Sequence, residues 1–256
     1  MLCRDYELKP VVDREKLCKV LCFPRVEEEC CISRLSQIRG LGVVEIYDFG
    51  KVVLEDGVRV VGKGHAAVVV LARYNKELVA VKIRRLDSKR DSLEREAELL
   101  ILAKASSFVP KVYAYSRDFI VREFIDGPTL KEFIATASLQ QLRNGFAKLI
   151  EAAYSLDRIG IDIDEISRPD TQVIFECGDP LKPRFIDLES ARVSHNASNV
   201  TRIVASIMRY RKAYPLFLDL SDEEIEYVLM LAKKYKIAEA DSRKDIVERI
   251  ILTLLR

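Results

Sequence analysis

The spacing of apolar residues separates a strand-rich first half from a helix-rich second half. Residues 45–83 alternate between apolar and polar positions and are rich in Val. Turn signals at Gly57 and Asn75 divide this stretch, so the pattern predicts an antiparallel sheet of successive hairpins. The segments KVYAYS and DFIVREFI predict two further strands before residue 126.

Helical spacing dominates elsewhere. SKRDSLEREAELLILAKA (88–105) predicts an amphipathic helix between the strands, and the pattern is mostly helical from Pro128 onward. One β-like patch, QVIFEC to PRFIDLES (172–190), interrupts the helices. Ser221 and Glu224 predict a capping box at the start of a late helix. The fold class predicted is α+β, with a small sheet and one helix followed by a mostly helical region.

The first 45 residues predict a short helical extension. DREKLCKVLC (13–22) has an N-cap at Asp13, and VEEECCISRLSQIRGLG (26–42) ends on glycines, which are helix-stop signals. Two short helices before a hairpin outline a winged helix, but they are also how a small domain packs on a larger one. A dense Lys/Arg face is missing, so binding of nucleic acid has only weak support. The predicted domains are residues 1–45, 46–124 and 125–256.

Composition adds few constraints. The 256 residues are 49% hydrophobic and carry a net charge of +2, so any electrostatic site must be local. Charged residues make up 32% and Trp is absent, a mix seen in proteins from hot environments. No signal peptide or bilayer-length apolar run is visible, which predicts a cytoplasmic protein with no membrane partner.

Six cysteines are present, and five of them lie in the first 31 residues. Cys18 and Cys22 share a helix face, whereas the side chains of Cys30 and Cys31 diverge. No CxxC pair supports a zinc site. We expect buried free thiols, with disulfides or a metal site as the alternatives.

Candidate chemistry begins in the predicted sheet. GKGHAAVV (62–69) has two glycines that let the backbone approach a phosphate closely, although most such pairs are hairpin turns. In VAVK, Lys82 lies on an apolar strand, where its ammonium group must reach solvent or meet an anion. The next helix offers Glu94, Glu96 and Glu98 as partners for it. Taken singly, these features could be a hairpin turn, an edge lysine and a solvated helix face. Their order and spacing together are a more specific indication of a phosphate-binding site.

This order, followed by VREFIDGPTL, resembles the protein-kinase-like fold over about residues 45–205. The compact size resembles RIO-type and lipopolysaccharide-type kinases, and archaeal putative serine/threonine kinases in particular. The resemblance implies a bilobal fold with a small antiparallel-sheet N-lobe and a mostly helical C-lobe. It also implies ATP and Mg²⁺ as ligands.

The resemblance assigns roles in the first lobe. Gly62 and Gly64 would cover the ATP phosphates, and Val69 would pack on the adenine. Lys82 would contact the α- and β-phosphates and pair with Glu96, with Glu94 and Glu98 as alternatives. The hinge that binds the adenine through backbone groups would comprise Glu123, Phe124 and Ile125, up to Asp126.

In the second half, Asp187 of FIDLE would hold Mg²⁺, and GIDIDEISRPD (160–170) would be the catalytic loop. That loop places Ile163 at the usual His, Glu165 at the usual Asp and Asp170 at the usual Asn. Glu165 keeps a carboxylate to orient an acceptor hydroxyl, and Asp170 keeps an oxygen ligand. Gln172 is an alternative oxygen donor. For the remaining pair in the loop, Asp162 and Asp164, we expect a solvated acidic turn.

The function implied is that of an atypical serine/threonine kinase that transfers the γ-phosphoryl group of ATP to a protein hydroxyl or to itself. The protein substrate is not readable from the sequence. The missing His and Ala67 in place of a third glycine suggest a pseudokinase or an ATPase-type regulatory scaffold as one alternative. A nucleic-acid-linked factor that uses the N-terminal helices is another.

Overall fold

The computed structural model describes residues 3–55, 57–167, 169–213 and 219–256, without the side chains at 165, 167 and 211–213. The chain divides into two compact units. The first comprises Met1–Ile101 and Pro110–Ile125, and the second comprises Leu102–Val109 and Asp126–Arg256. Helices and antiparallel strands are both present, as expected for an α+β protein.

The first unit is built on an antiparallel sheet of six strands. The strands of the first unit are β1 (Val43–Tyr47), β2 (Val52–Val53), β3 (Arg59–Val60), β4 (Gly62–Lys63), β5 (Ala67–Tyr74), β6 (Glu77–Arg84), β7 (Val112–Tyr115) and β8 (Phe119–Glu123). The main path of the sheet runs β1-β5-β6-β8-β7, and β4 pairs with β5 beside β1. A separate ladder joins β2 to β3. The predicted strands of residues 45–83 therefore join the two later strands in one sheet, except for β2 and β3, which form their own ladder.

Two N-terminal helices, α1 (Arg14–Leu21) and α2 (Glu28–Gly40), contribute to the core on one face of this sheet. Asp13 caps α1 by accepting hydrogen bonds from the next turn, as the sequence predicts. β1 pairs with β5 in the main sheet. The first 45 residues thus fall in the same compact unit as the sheet, and the strand after α2 is not part of a small hairpin of its own.

Two disulfides join α1 to α2. Cys18 bonds to Cys31 and Cys22 bonds to Cys30, with Cα atoms 5.2 and 6.3 Å apart. The expectation of free thiols is wrong for all six cysteines, because Cys3 and Cys177 are disulfide-bonded as well. For the four cysteines of the two bridges the reason is tertiary: the helices form a hairpin that brings Cys18 and Cys22, which directly follows α1, opposite the adjacent pair in α2.

A buried arginine also ties α2 to the sheet. Arg34 donates from Nη2 to Asp118 Oδ1 at 3.1 Å and from Nη1 to the carbonyl of Arg84 at 2.7 Å. Arg84 donates to the same Asp118 oxygen at 2.6 Å. Burial lowers the pKa of Arg34, although Asp118 opposes that effect. The network satisfies a charge that would be costly to bury alone.

The helix that the sequence predicts between the strands begins later than its periodicity indicates. α3 spans Glu94–Ala103, whereas the pattern predicts a helix from residue 88. Ser92 Oγ accepts a hydrogen bond from the Glu94 amide at 2.9 Å, which gives the start of α3 a side-chain acceptor.

The second unit is mostly helical. Its helices are α4 (Leu130–Thr136), α5 (Leu139–Arg158), α6 (Asn199–Ala213), α7 (Asp222–Ile237) and α8 (Ala240–Leu255). Both α6 and α8 pack against α5. Ser138 and Thr129 cap α5 and α4 with capping boxes, and the predicted box of Ser221 and Glu224 is confirmed on α7. Among the described residues, none of the helices has the length and apolar character needed to cross a bilayer.

Two short antiparallel ladders complete the second unit. β10 (Val173–Phe175) pairs with β11 (Pro183–Phe185), which is the predicted β-like patch. β9 (Ile161–Ile163) pairs with β12 (Ala191–Val193) and was not predicted. β9 lies inside the acidic stretch 160–170 and has only three residues. Such a strand is too short for the alternation of apolar and polar residues to be recognised.

Candidate functional site

Lys82 and Glu96 form a buried ion pair in the first unit. Lys82 lies in the centre of the sheet on β6, and Glu96 lies in the first turn of α3. The Lys82 Nζ atom is 2.7 Å from Glu96 Oε2 and 2.8 Å from Oε1. Of the three glutamates that the sequence offers, Glu94 and Glu98 are exposed. The structure therefore pairs Lys82 with Glu96.

A row of residues crosses the sheet at Lys82. Val69 on β5 lies opposite Lys82 on one side and opposite Gly62 of β4 on the other. Ile120 of β8 lies opposite Lys82 on the next strand. Residues opposite each other in antiparallel strands project to the same face, so Val69 lies beside Lys82. Val69 is only half-buried, whereas its neighbours Val68 and Val70 face the core shared with α1 and α2.

Residues 62–69 form what we call the glycine-rich hairpin. The Gly64 amide donates to the Ala67 carbonyl at 2.8 Å, which closes the turn that carries the exposed His65. A Cβ added at Gly62 would meet no atom within 4 Å, and one at Gly64 would meet only the Ala67 oxygen at 3.7 Å. Neither glycine has a φ in the left-handed region. Packing and backbone conformation within the described residues therefore do not require glycine at these two positions.

The segment predicted as a hinge follows β8. The Glu123 amide donates to the Lys111 carbonyl at 2.8 Å, and Phe124 makes an edge contact with Phe49 at 6.0 Å between ring centroids. Among the described residues, none of the backbone hydrogen bonds uses the groups of Phe124 or Ile125. These groups are the ones that a ligand could pair with.

In the second unit, two ladders bring the predicted loop residues together. The segment 164–172 leads from β9 to β10, and the segment 186–190 leads from β11 to β12. Because both ladders are antiparallel, the ends of these segments lie side by side, and the Asp164 amide donates to the Ser190 carbonyl at 3.5 Å. The Ile186 amide donates to the Gln172 carbonyl at 2.8 Å. Asp187 therefore lies next to the segment that carries Asp170 and Gln172.

The oxygen donors of this region differ in their partners. Asp187 Oδ1 accepts from the Glu189 amide at 3.0 Å, and Asp170 accepts from the hydroxyl of Tyr210 on α6. The buried Oε1 of Gln172 accepts no hydrogen bond from the described residues. A buried acceptor without a donor is costly, and a cation would satisfy it. Carboxylate and amide oxygens are the ligands that Mg²⁺ takes.

Glu165 lies in a 3-10 helix formed by Asp164–Ser167, directly after β9. Its side chain is outside the part of the chain that the structure describes. Ile163, at the position of the usual His, is fully buried.

Asp162 is not part of a solvated turn, so that expectation is wrong for this residue. It lies on β9, is 2% exposed, and accepts from Arg192 at 2.6 Å and from Arg202. Burial acts to raise the pKa of Asp162, but the hydrogen bond from Arg202 and further donors lower it overall. Asp164, by contrast, is exposed and pairs with the same two arginines. The arginines come from β12 and α6, which sequence spacing alone could not bring together.

Asp157 is a buried carboxyl that the sequence analysis did not single out. It accepts from the Asn199 amide at 2.7 Å and the Tyr235 hydroxyl at 2.7 Å, and so caps α6 from the end of α5. Burial raises its pKa to about 6, against the lowering effect of those hydrogen bonds. Its partner Tyr235 also has a raised pKa because of burial and the nearby Asp157. This pair joins α5, α6 and α7 and has a structural role.

Comparison of the chain with models of known protein families gives no match. A search of curated proteins likewise finds no significantly similar sequence.

Proposed function

We propose that the protein is an ATP-dependent phosphotransferase with a bilobal protein-kinase-like fold, whose lobes are the two compact units. It transfers the γ-phosphoryl group of ATP to a serine or threonine hydroxyl of a protein substrate or of itself. The observation that carries the proposal is the buried Lys82–Glu96 pair in register with Val69 and Gly62.

A purely structural role explains this pair poorly. Burying two charges costs desolvation energy, and apolar residues of similar size often stabilise a core equally well or better. A lysine that contacts phosphate needs a carboxylate to hold it in place, and this arrangement supplies one. Gly62 and Gly64 support the same conclusion, since closely approaching phosphates would explain glycines that the chain itself does not require.

The adenine and phosphates would each have a binding group in the first unit. Val69 would pack on the adenine ring, and the backbone groups of Phe124 and Ile125, beside Glu123, would pair with its edge. Lys82 would contact the α- and β-phosphates. Each role uses an atom or face that is already positioned by the strand register or left without a backbone partner.

In the second unit, Asp187 and Asp170 would hold Mg²⁺, with Gln172 as a further oxygen donor. The ion would supply neutralisation of the charge on the β- and γ-phosphates. Glu165 would orient the acceptor hydroxyl and accept its proton. The orphaned Gln172 Oε1 and the oxygen-only donor set favour a hard cation at this position.

A pseudokinase is the second candidate, favoured by the hydrogen bond between Asp170 and Tyr210. That bond engages one of the two oxygens that Asp170 would offer to Mg²⁺. A chain of this kind would bind ATP and not turn it over. Thermal stabilisation by ATP without transfer would support it, and Tyr210→Phe would then increase Mg²⁺ affinity by releasing Asp170.

The main experiment is incubation of the purified protein with γ-labelled ATP, Mg²⁺ and a generic protein acceptor. We expect label on the acceptor or on the protein itself, and its loss in Asp187→Asn and in the double variant Lys82→Met with Glu96→Leu. Lys76→Met and Asp245→Asn change exposed residues of the same types and serve as matched controls. Equal labelling in all variants would contradict the proposal, and so would the absence of both transfer and ATP binding in the unaltered protein.

A further inference from the structure

Phe23 lies where three chain segments meet beside the glycine-rich hairpin. It follows α1 directly and is half-buried against the core shared by the N-terminal helices and the sheet. Its carbonyl accepts from the Leu86 amide at 2.9 Å, just after β6. The preceding residue, Cys22, is fixed to Cys30 by a disulfide. The position of Phe23 is therefore fixed by the disulfide of the preceding residue and by its own backbone hydrogen bond to Leu86.

Two cations lie over the Phe23 ring. The Lys63 Nζ atom, on β4, is 5.5 Å from the ring centroid, and the Arg85 Cζ atom is 5.0 Å from it. These residues belong to separate segments of the chain that both contact the ring of Phe23. Cation–π attraction at such distances stabilises the contact even at partly exposed sites.

Arg85 extends this contact to the turn of the glycine-rich hairpin. Its Nη1 donates to the Gly64 carbonyl at 2.8 Å, and its amide donates to the Ala66 carbonyl at 2.8 Å. Asp87 orients the guanidinium by accepting from Nε at 2.8 Å and from Nη2 at 2.6 Å. The guanidinium thus contacts both the hairpin, through a hydrogen bond, and the Phe23 ring.

From these contacts we infer that Phe23 is a positioning residue for the glycine-rich hairpin. It acts through Lys63 and Arg85, and it makes the disulfide-linked N-terminal helices part of the phosphate-binding arrangement. The first step, anchoring of the hairpin, stands on the contacts alone. The second step, an effect on phosphate binding, rests on the proposed function.

The test of anchoring is hydrogen exchange of the full chain, with Phe23→Leu compared against Phe23→Tyr. Leu keeps apolar volume and loses the aromatic face, whereas Tyr keeps the face. We expect the amides of Gly64 and Arg85 to exchange about five-fold faster in Phe23→Leu and unchanged in Phe23→Tyr. Amides of the β6–β8 ladder should not change, which separates local release from general destabilisation. Unaltered exchange at Gly64 and Arg85 in Phe23→Leu would overturn the inference.

The test of function is the Kd for ATP and for adenosine, measured on the same proteins. Adenosine lacks the phosphates, so release of the hairpin should raise the Kd for ATP about three- to ten-fold and leave that for adenosine unchanged. Equal increases for both ligands would overturn the positioning role. If the unaltered protein binds no ATP, the proposed function and this second step fail together, while the exchange result still decides the first.

Discussion

Lys82 and Glu96 pair through both carboxylate oxygens at 2.7 and 2.8 Å, and each side chain is only 5% exposed. The two residues are 14 positions apart and lie on a strand and on the helix that follows it. Neither residue of a pair this deeply buried can be replaced alone without a large loss of stability, because the remaining charge would be buried without a counter-charge or water.

Replacing one residue of the pair should therefore lower the free energy of unfolding far more than replacing both. We expect Lys82→Met to lower the free energy of unfolding by about 3–5 kcal/mol, since it leaves Glu96 buried and unpaired. Adding Glu96→Leu should recover most of that loss, without restoring phosphoryl transfer. Urea unfolding of the two variants measures the difference, and a double variant no more stable than the single one would contradict this explanation.

Gly62→Ala separates folding from ligand binding. The Cβ would enter open space, so the free energy of unfolding should be unchanged or rise by about 0.4–1 kcal/mol. ATP affinity should nevertheless fall, because the methyl group would occupy space that a phosphate needs. Gly127→Ala is the contrasting variant, since its Cβ would lie 2.1 Å from the Phe175 carbonyl and should destabilise the fold. An unchanged Kd for ATP in Gly62→Ala would remove this support for the phosphate site.

Asp157 makes stability depend on pH. Its folded-state pKa of about 6 exceeds the ordinary value of 3.8, so between these pH values the folded state binds more protons than the unfolded state. The free energy of unfolding should then decrease as pH rises from 4 to 6, by up to about 3 kcal/mol from this group. Asp157→Asn removes this titration.

Urea unfolding at pH 4, 5, 6 and 7 tests this expectation. The stability of the unaltered protein relative to Asp157→Asn should fall with rising pH and level off above pH 7. A relative gain with rising pH would mean that the hydrogen bonds to Asp157 outweigh its burial.

Removing the N-terminal disulfides should destabilise the first unit. Replacing Cys22 and Cys30 by Ala, or Cys18 and Cys31 by Ala, should each cost about 2–4 kcal/mol. The bridged segments are nested, with separations of 8 and 13 residues. Removing both bridges should therefore lower the free energy of unfolding by more than the sum of the two single losses, because in each single variant the remaining bridge still restricts the same unfolded segment. Fully additive losses in urea unfolding would contradict that reasoning.

Arg34→Met tests the polar link between α2 and the sheet. Asp118 would keep Arg84, but the carbonyls of Leu21 and Arg84 would lose the donor that Arg34 gives them. We expect a loss of about 3 kcal/mol in the free energy of unfolding. Arg39→Met, on the exposed side of the same helix, is the control and should stay within about 0.5 kcal/mol of the unaltered protein.

Local residue patterns specify the succession of elements and several of their ends. Period-two alternation marked the hairpins of the sheet, and the caps at Asp13 and Ser221 appear where the residue types predict them. The sequence also singled out Lys82 and offered three glutamates as its partner. These features depend on residues that are close together in the chain, so they can be predicted from the sequence without knowledge of the fold.

Packing and strand register set which distant residues meet. Glu96 pairs with Lys82 because its side chain is buried against β6, whereas Glu94 and Glu98 are exposed. The tertiary structure also joined the four cysteines of the N-terminal helices, placed Asp162 between two arginines, and brought Lys63 and Arg85 to the ring of Phe23. Each of these contacts links separate elements, and their pairing depends on packing and strand register that local spacing does not encode.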